Sequence, residues 1–283
     1  MTLCDAHIHV VGDPARYPML PSRTYTPPPA TVAQVQRLGA PHGITRFVVV
    51  QPSFYGTDNT LLVEGLQALG RQGAGVAVLD PATATDAELQ RLAAAGVRGL
   101  RINLYSTHGA AARPLAERFG AIAALAGRIG WHVQVIADLP ILIAAADLLA
   151  EAAVPVVIDH YGLPGGRAPD SAEGARLLAL VAKPHIWVKL SAPYRSSYDP
   201  LATRPDPIWM AELLKAAPDR CVWGSDWPHT PAHETQPGGA GPMPYRPIDY
   251  GALVAAFRAA VADDRAAQLV MGANPARLYG FVS

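Results

Sequence analysis

Several things are scarce in this chain of 283 residues. It has only two cysteines, Cys4 and Cys221, which excludes a disulfide framework and fits a reducing compartment. Charged residues make up only 16%, and the formal net charge is zero. There is no basic surplus for nucleic acid and no polybasic tail for a membrane surface. Recognition of a charged ligand is therefore expected to be local, inside a pocket. No apolar run approaches the ~20 residues of a membrane helix. The N-terminus enters an apolar stretch directly, without the basic and apolar regions of a secretory leader, so a cytoplasmic protein is expected. A glycine-rich phosphate turn is also missing after the first apolar run, where the chain reads His9-Val10-Val11-Gly12.

What is present is alternation. Short β-branched runs at 3–10, 45–51, 75–79, 99–104, 132–137, 154–160, 186–191 and 221–226 read as strands. Between and after them lie alanine- and leucine-rich helical patterns at 31–40, 60–71, 86–95, 112–129, 141–152, 171–181, 209–217 and 250–260. Each parallel crossover needs a covering helix, so eight such units predict an α/β fold, a (β/α)8 barrel in one domain over residues 1–283. A doubly wound sheet is the alternative, but it normally carries the glycine-rich turn that is absent here. Two proline- and glycine-rich stretches, 13–29 and 230–245, exceed ordinary loop length and are expected to be functional. Strands 1 and 8 adjoin in a closed barrel, so both loops would flank one rim.

Active sites of this fold form at the C-terminal strand ends. His7 and His9 are two apart on the first strand and so share a face; two buried imidazoles there are costly unless they find partners. The remaining strand ends supply Ser53 and Tyr55, Arg101 with Asn103 and Tyr105, His160 with Tyr161, Tyr194 with Arg195, and Asp226. Three histidines and an aspartate at one rim are more than packing requires. His132 begins its strand, at the opposite end, and is read as structural.

The motifs Asp5-Ala6-His7-Ile8-His9, Asp159-His160-Tyr161-Gly162 and Trp223-Gly224-Ser225-Asp226-Trp227-Pro228-His229, with Asn274-Pro275-Ala276-Arg277-Leu278-Tyr279 near the end, resemble the amidohydrolase superfamily. The closer resemblance is to its lactonase-like branch, the family of the 2-pyrone-4,6-dicarboxylate lactonases. It implies a hydrolase of the aromatic-catabolic type that opens a small, anionic, carboxylated lactone by water attack. Asp226 would be the general base, and His7, His9 and His160 would polarise the carbonyl. Muconolactone-like and sugar lactones stay open as substrates, and so does a zinc-dependent hydrolase or decarboxylase of the same superfamily.

Two-metal members of the superfamily use a lysine from the fourth strand. The only lysines here, Lys183, Lys189 and Lys215, lie elsewhere. A one-metal site would take His7, His9, His160 and Asp226, a set suited to Zn²⁺. The favoured expectation is no obligatory metal, with arginine supplying positive charge. Arg101 and Arg195 are candidates to hold a substrate carboxylate; Ser53, Tyr55, Tyr161 and Tyr194 are candidate neutral donors. A homo-oligomer is left open.

Overall fold

Strands buried on both faces of a parallel sheet read as unbroken Val/Ile/Leu runs, and this chain closes eight of them into a barrel. The computed structural model describes residues 2–105, 115–231, 241–261 and 263–281. Residues 112–114 of the fourth expected helix and 232–240 of the second expected long loop lie outside these. The strands are β1 (Leu3–Ile8), β2 (Ile44–Val50), β3 (Gly73–Ala77), β4 (Val97–Asn103), β5 (His132–Ile136), β6 (Val156–Ile158), β7 (Ile186–Ser191) and β8 (Cys221–Gly224). They pair in parallel and in sequence order. The seam between β8 and β1 is shut by two backbone bonds, Asp226 N to His7 O at 2.9 Å and His9 N to Trp227 O at 2.8 Å.

The helices cover the outside. They are α1 (Val32–Gly39), α2 (Thr60–Leu69), α3 (Asp86–Ala94), α4 (Leu115–Gly127), α5 (Leu139–Ala144), α6 (Ala146–Ala150), α7 (Ala172–Val181), α8 (Pro207–Ala216), α9 (Tyr250–Ala260), α10 (Asp264–Gln268) and α11 (Asn274–Tyr279). Their starts follow capping chemistry. Thr31 and Gln34 form a capping box at α1, and Asp206 caps α8 ahead of Pro207. The stretch expected to be one helix after β5 breaks in two at Ala145. Beyond α9 the chain adds α10, a π-helical turn at Leu269–Ala273 and α11, none of which the periodicity had indicated. No helix among the described residues is long and apolar enough to cross a membrane.

The two long loops meet over the barrel mouth. Thr26 N donates to Gly241 O and Met243 N to Thr26 O, and Tyr245 donates to the Pro28 carbonyl.

Several strands end earlier than expected. β6 stops at Ile158 and β8 at Gly224, because two residues further on the chain leaves extended geometry. His160 has φ 50°, Tyr161 58°, Asp226 61° and His229 68°. A left-handed backbone is disfavoured for residues with a Cβ and tends to persist where surrounding structure imposes it, often at functional sites.

Candidate active site

These bends gather four side chains at the barrel mouth. Asp226 Oδ1 lies 3.5 Å from His7 Nε2, 3.4 Å from His9 Nε2 and 4.0 Å from His160 Nε2. All four residues are buried. The pairing of β1 with β2 is irregular between Asp5 and Ile8, yet the His7 and His9 rings remain neighbours at 5.0 Å. The other carboxylate oxygen, Asp226 Oδ2, accepts from Arg195 Nε and from the Tyr194 hydroxyl, both at 2.7 Å. Burial alone would raise the Asp226 carboxyl; Arg195 and then the histidines outweigh it and hold it well below the usual carboxylate range.

Each imidazole is oriented by its second nitrogen. His9 Nδ1 donates to the Val50 carbonyl at 2.8 Å, since a carbonyl only accepts. Its Nε2 then faces the Asp226 carboxylate oxygen, an arrangement that a proton or a cation between them would satisfy. His160 Nδ1 meets Ser191 Oγ at 2.8 Å. His7 Nδ1 lies 3.3 Å from Lys189 Nζ and 3.5 Å from Asp159 Oδ1. Burial pushes the His7 imidazole well below its ordinary value and that of His160 down to about 4. Both are neutral rings at pH 7.

Beneath them sits a polar cluster. Lys189 Nζ donates to Gln134 Oε1 at 2.7 Å and lies 3.7 Å from Asp159 Oδ1. Gln134 Nε2 donates to Asp159 Oδ2 at 2.9 Å. Burial lowers Lys189 to about 8 even with Asp159 beside it. Lys189 and Asp159 carry a visible signal in the sequence: a lone charge inside an otherwise apolar parallel strand, and a second acid at a strand end.

Above them opens a narrow cavity. His9, His160, Asp226, Arg101, Arg195 and Ser53 line it, together with Tyr25, Phe54, Asn103, Tyr105, Ile136 and Thr230. The other sequence candidates stand apart. Tyr194 supports Asp226 from behind. Tyr55 is spent on the backbone, accepting from Gly12 N at 3.1 Å. Tyr161, turned by its positive φ, lines a different cavity with Arg167 and Trp209. His132 lies at the start of β5, buried against Tyr279. Tyr25 and Thr230 come from the two long loops; sequence reading had marked those loops but not these residues.

The donor set fits one divalent cation such as Zn²⁺. His7, His9 and Asp226 place ligand atoms within 4.8 Å of one another. Among the described residues, His7 Nε2 and Asp226 Oδ1 have no hydrogen-bond partner although both are buried.

A sequence model of the family described as "Amidohydrolase" matches residues 4–281. The chain is similar to a 2-pyrone-4,6-dicarboxylate hydrolase of Comamonas testosteroni, 32% identical over 97% of this chain and 89% of that one. It is similar also to a 4-sulfomuconolactone hydrolase of Rhizobium radiobacter, 29% identical over 98% of this chain and 90% of that one. Among solved structures, one described as a probable 2-pyrone-4,6-dicarboxylic acid hydrolase of Acinetobacter baumannii, with citric acid bound, superposes with a TM-score of 0.75 at 28% identity. It covers 99% of this chain and is itself covered completely.

Proposed function

The chain belongs to the amidohydrolase family, and on that premise we propose that it hydrolyses a small carboxylated lactone with Asp226 as general base. The observation that carries this reading is the convergence of three imidazoles on one ionised carboxylate, 3.4–4.0 Å away, at the floor of a cavity lined by two arginines. The relatives support it: two act on small anionic lactones by name, and a structural neighbour holds a carboxylic acid.

Hydrolysis needs an oriented water and a place for negative charge on the carbonyl oxygen. Asp226 is too weak a base to ionise a free water. It orients one instead, and accepts its proton as the new C–O bond forms and the water becomes acidic. Lys189 donating into His7 Nδ1 leaves its Nε2–H to face Asp226 Oδ1, and Ser191 donating into His160 Nδ1 leaves the Nε2–H of His160, which lines the cavity, for the developing oxyanion. These neutral rings act as donors without carrying a charge. Collapse of the tetrahedral intermediate breaks the ring C–O bond. The proton on Asp226 then passes to the departing oxygen, giving a hydroxyl and a carboxylic acid, and the acid releases its proton to solvent as a carboxylate. A divalent cation held by His7, His9, His160 and Asp226 would supply Lewis acidity at the same oxygen.

The test is a lactone panel read by acid release with a pH indicator, run on wild type and Asp226→Asn. Turnover that falls at least about 10³-fold in the folded variant supports the assignment. Undiminished turnover removes Asp226 from the reaction.

A further inference from the structure

The charges around the cavity do not balance. Arg195 is committed to Asp226 at 2.7 Å, and its Nη2 to Thr230 Oγ1 at 2.8 Å. Lys189 faces Asp159 at 3.7 Å. Asp5 turns away from the mouth and accepts from the Ser225 amide and the Tyr250 hydroxyl of α9. Among the described residues that line the cavity, that leaves Arg101 as the surplus cation. Arg101 is 6% exposed and lines the cavity. It donates one bond to the Gln51 carbonyl at 3.0 Å and sits 3.9 Å from Asp159, whose charge Lys189 already offsets. Its Nε has no partner among the described residues. Burial lowers Arg101 below its ordinary value, but a guanidinium remains charged. A buried charge whose one ion pair is long and shared is costly, and a ligand carboxylate relieves that cost.

Among the described residues, the rest of the lining offers no second uncommitted cation. Ile136, at the end of β5, and Phe54 line it with buried apolar surface. Among the described residues, two other arginines come near this rim and neither lines the cavity. Arg118 lies by the Asn103 carbonyl. Arg246 donates to the carbonyls of Thr230 and Pro200 and lies over the Tyr194 ring.

We propose that the site takes a monoanionic lactone, with its one carboxylate against Arg101 and an apolar substituent toward Ile136 and Phe54. This rests on the lactone-hydrolase reading above. A single carboxylate neutralises the surplus; a second would leave an unpaired anion against apolar walls. The preference thus departs from the dicarboxylate named for one relative.

The experiment compares kcat/KM for three probes, followed by loss of pyrone absorbance: 2-pyrone-6-carboxylate, 2-pyrone-4,6-dicarboxylate and the neutral 6-methyl-2-pyrone. The expected result is at least about tenfold higher kcat/KM for the monocarboxylate than for either other probe, a margin of about 1.4 kcal/mol. Arg101→Gln, checked for folding by thermal unfolding, should bring the monocarboxylate down to the level of the neutral pyrone. A dicarboxylate or a neutral pyrone turned over as well as the monocarboxylate overturns the proposal and leaves the hydrolase reading standing. Charge preference is also read without turnover, from protection against thermal unfolding by benzoate and by benzene-1,3-dicarboxylate. Stronger protection by the dicarboxylate overturns the proposal too. No turnover of any lactone, with benzoate still protecting, strikes the hydrolase reading alone.

Discussion

Replacing Lys189 with methionine isolates the cluster beneath the site. Lys189 is fully buried and spans Gln134, Asp159 and His7 at 2.7, 3.7 and 3.3 Å. With its ordinary value lowered to about 8 by burial, it is an ammonium at pH 7. Methionine nearly matches the side-chain volume, so the cavity term is small. What remains is the Asp159 carboxylate, fully buried, with Oδ1 lacking a hydrogen bond even in the wild type. Removing one partner of such a pair costs about 3–5 kcal/mol, a large part of a total stability of about 5–15 kcal/mol. Adding Asp159→Asn to Lys189→Met removes the stranded charge and should restore most of that loss. The double-mutant cycle would then show coupling of about 2 kcal/mol or more. Urea unfolding at pH 7, followed by circular dichroism with the slope checked for constancy, measures all four corners. A loss below about 1 kcal/mol in Lys189→Met, or strict additivity in the double variant, would mean that the ammonium does not hold Asp159. The tautomer argument for His7 would fall with it.

Three further outcomes are expected. His132 is buried and neutral, lowered to about 3 by burial, so the unfolded chain takes up a proton first as pH falls below about 6.5. Stability is therefore lost as pH falls, by about 2 kcal/mol between pH 7 and pH 5 through this group; urea midpoints of wild type and His132→Phe at both pH values should differ by that slope. Gly224→Ala would place a methyl carbon 2.6 Å from His7 Cβ and 2.9 Å from its backbone N. It should destabilise by about 1–3 kcal/mol and lower kcat about 100-fold if His7 shifts by ~1 Å; unchanged kinetics would show that the seam tolerates movement. Exhaustive chelation should leave lactone turnover intact, because Arg101, Arg195 and Lys189 already supply positive charge; loss that added Zn²⁺ restores would instead make His7, His9, His160 and Asp226 the ligands of a required metal.

The barrel was legible because helix and strand periods alternate eight times without interruption, and because hydrophobic runs such as Phe47–Val50 have no polar face. The histidine pair was legible from spacing alone. Less visible was the direction of residues beyond the last extended one. Tyr161 directly follows His160, yet faces another cavity because two consecutive left-handed residues reverse the chain there. Periodicity carries no information about such bends. Lys189 was overlooked for a different reason. A lysine was sought on the fourth strand as a bridge between metals, while the relevant one sits on β7, where its charge supports a histidine of β1 from below.

Backbone strain links these observations. His160, Ala192, Asp226 and His229 all take positive φ just beyond β6, β7 and β8, at a cost on the order of 1 kcal/mol each. An unstrained continuation of β8 would send alternate side chains inward and outward along the barrel wall, carrying Asp226 away from His7 and His9. The turn at Asp226 is held from two sides: its N–H donates to His7 O, and its carbonyl accepts from His229 N at 2.8 Å. The same His7 backbone thus closes the barrel and fixes the carboxylate that faces its own ring. Glycine at 226 would relax the backbone but would have no carboxylate. An aspartate in that conformation, joined to the His-x-His strand by main-chain bonds, is economical to explain as a position kept for chemistry, where orientation outweighs local stability.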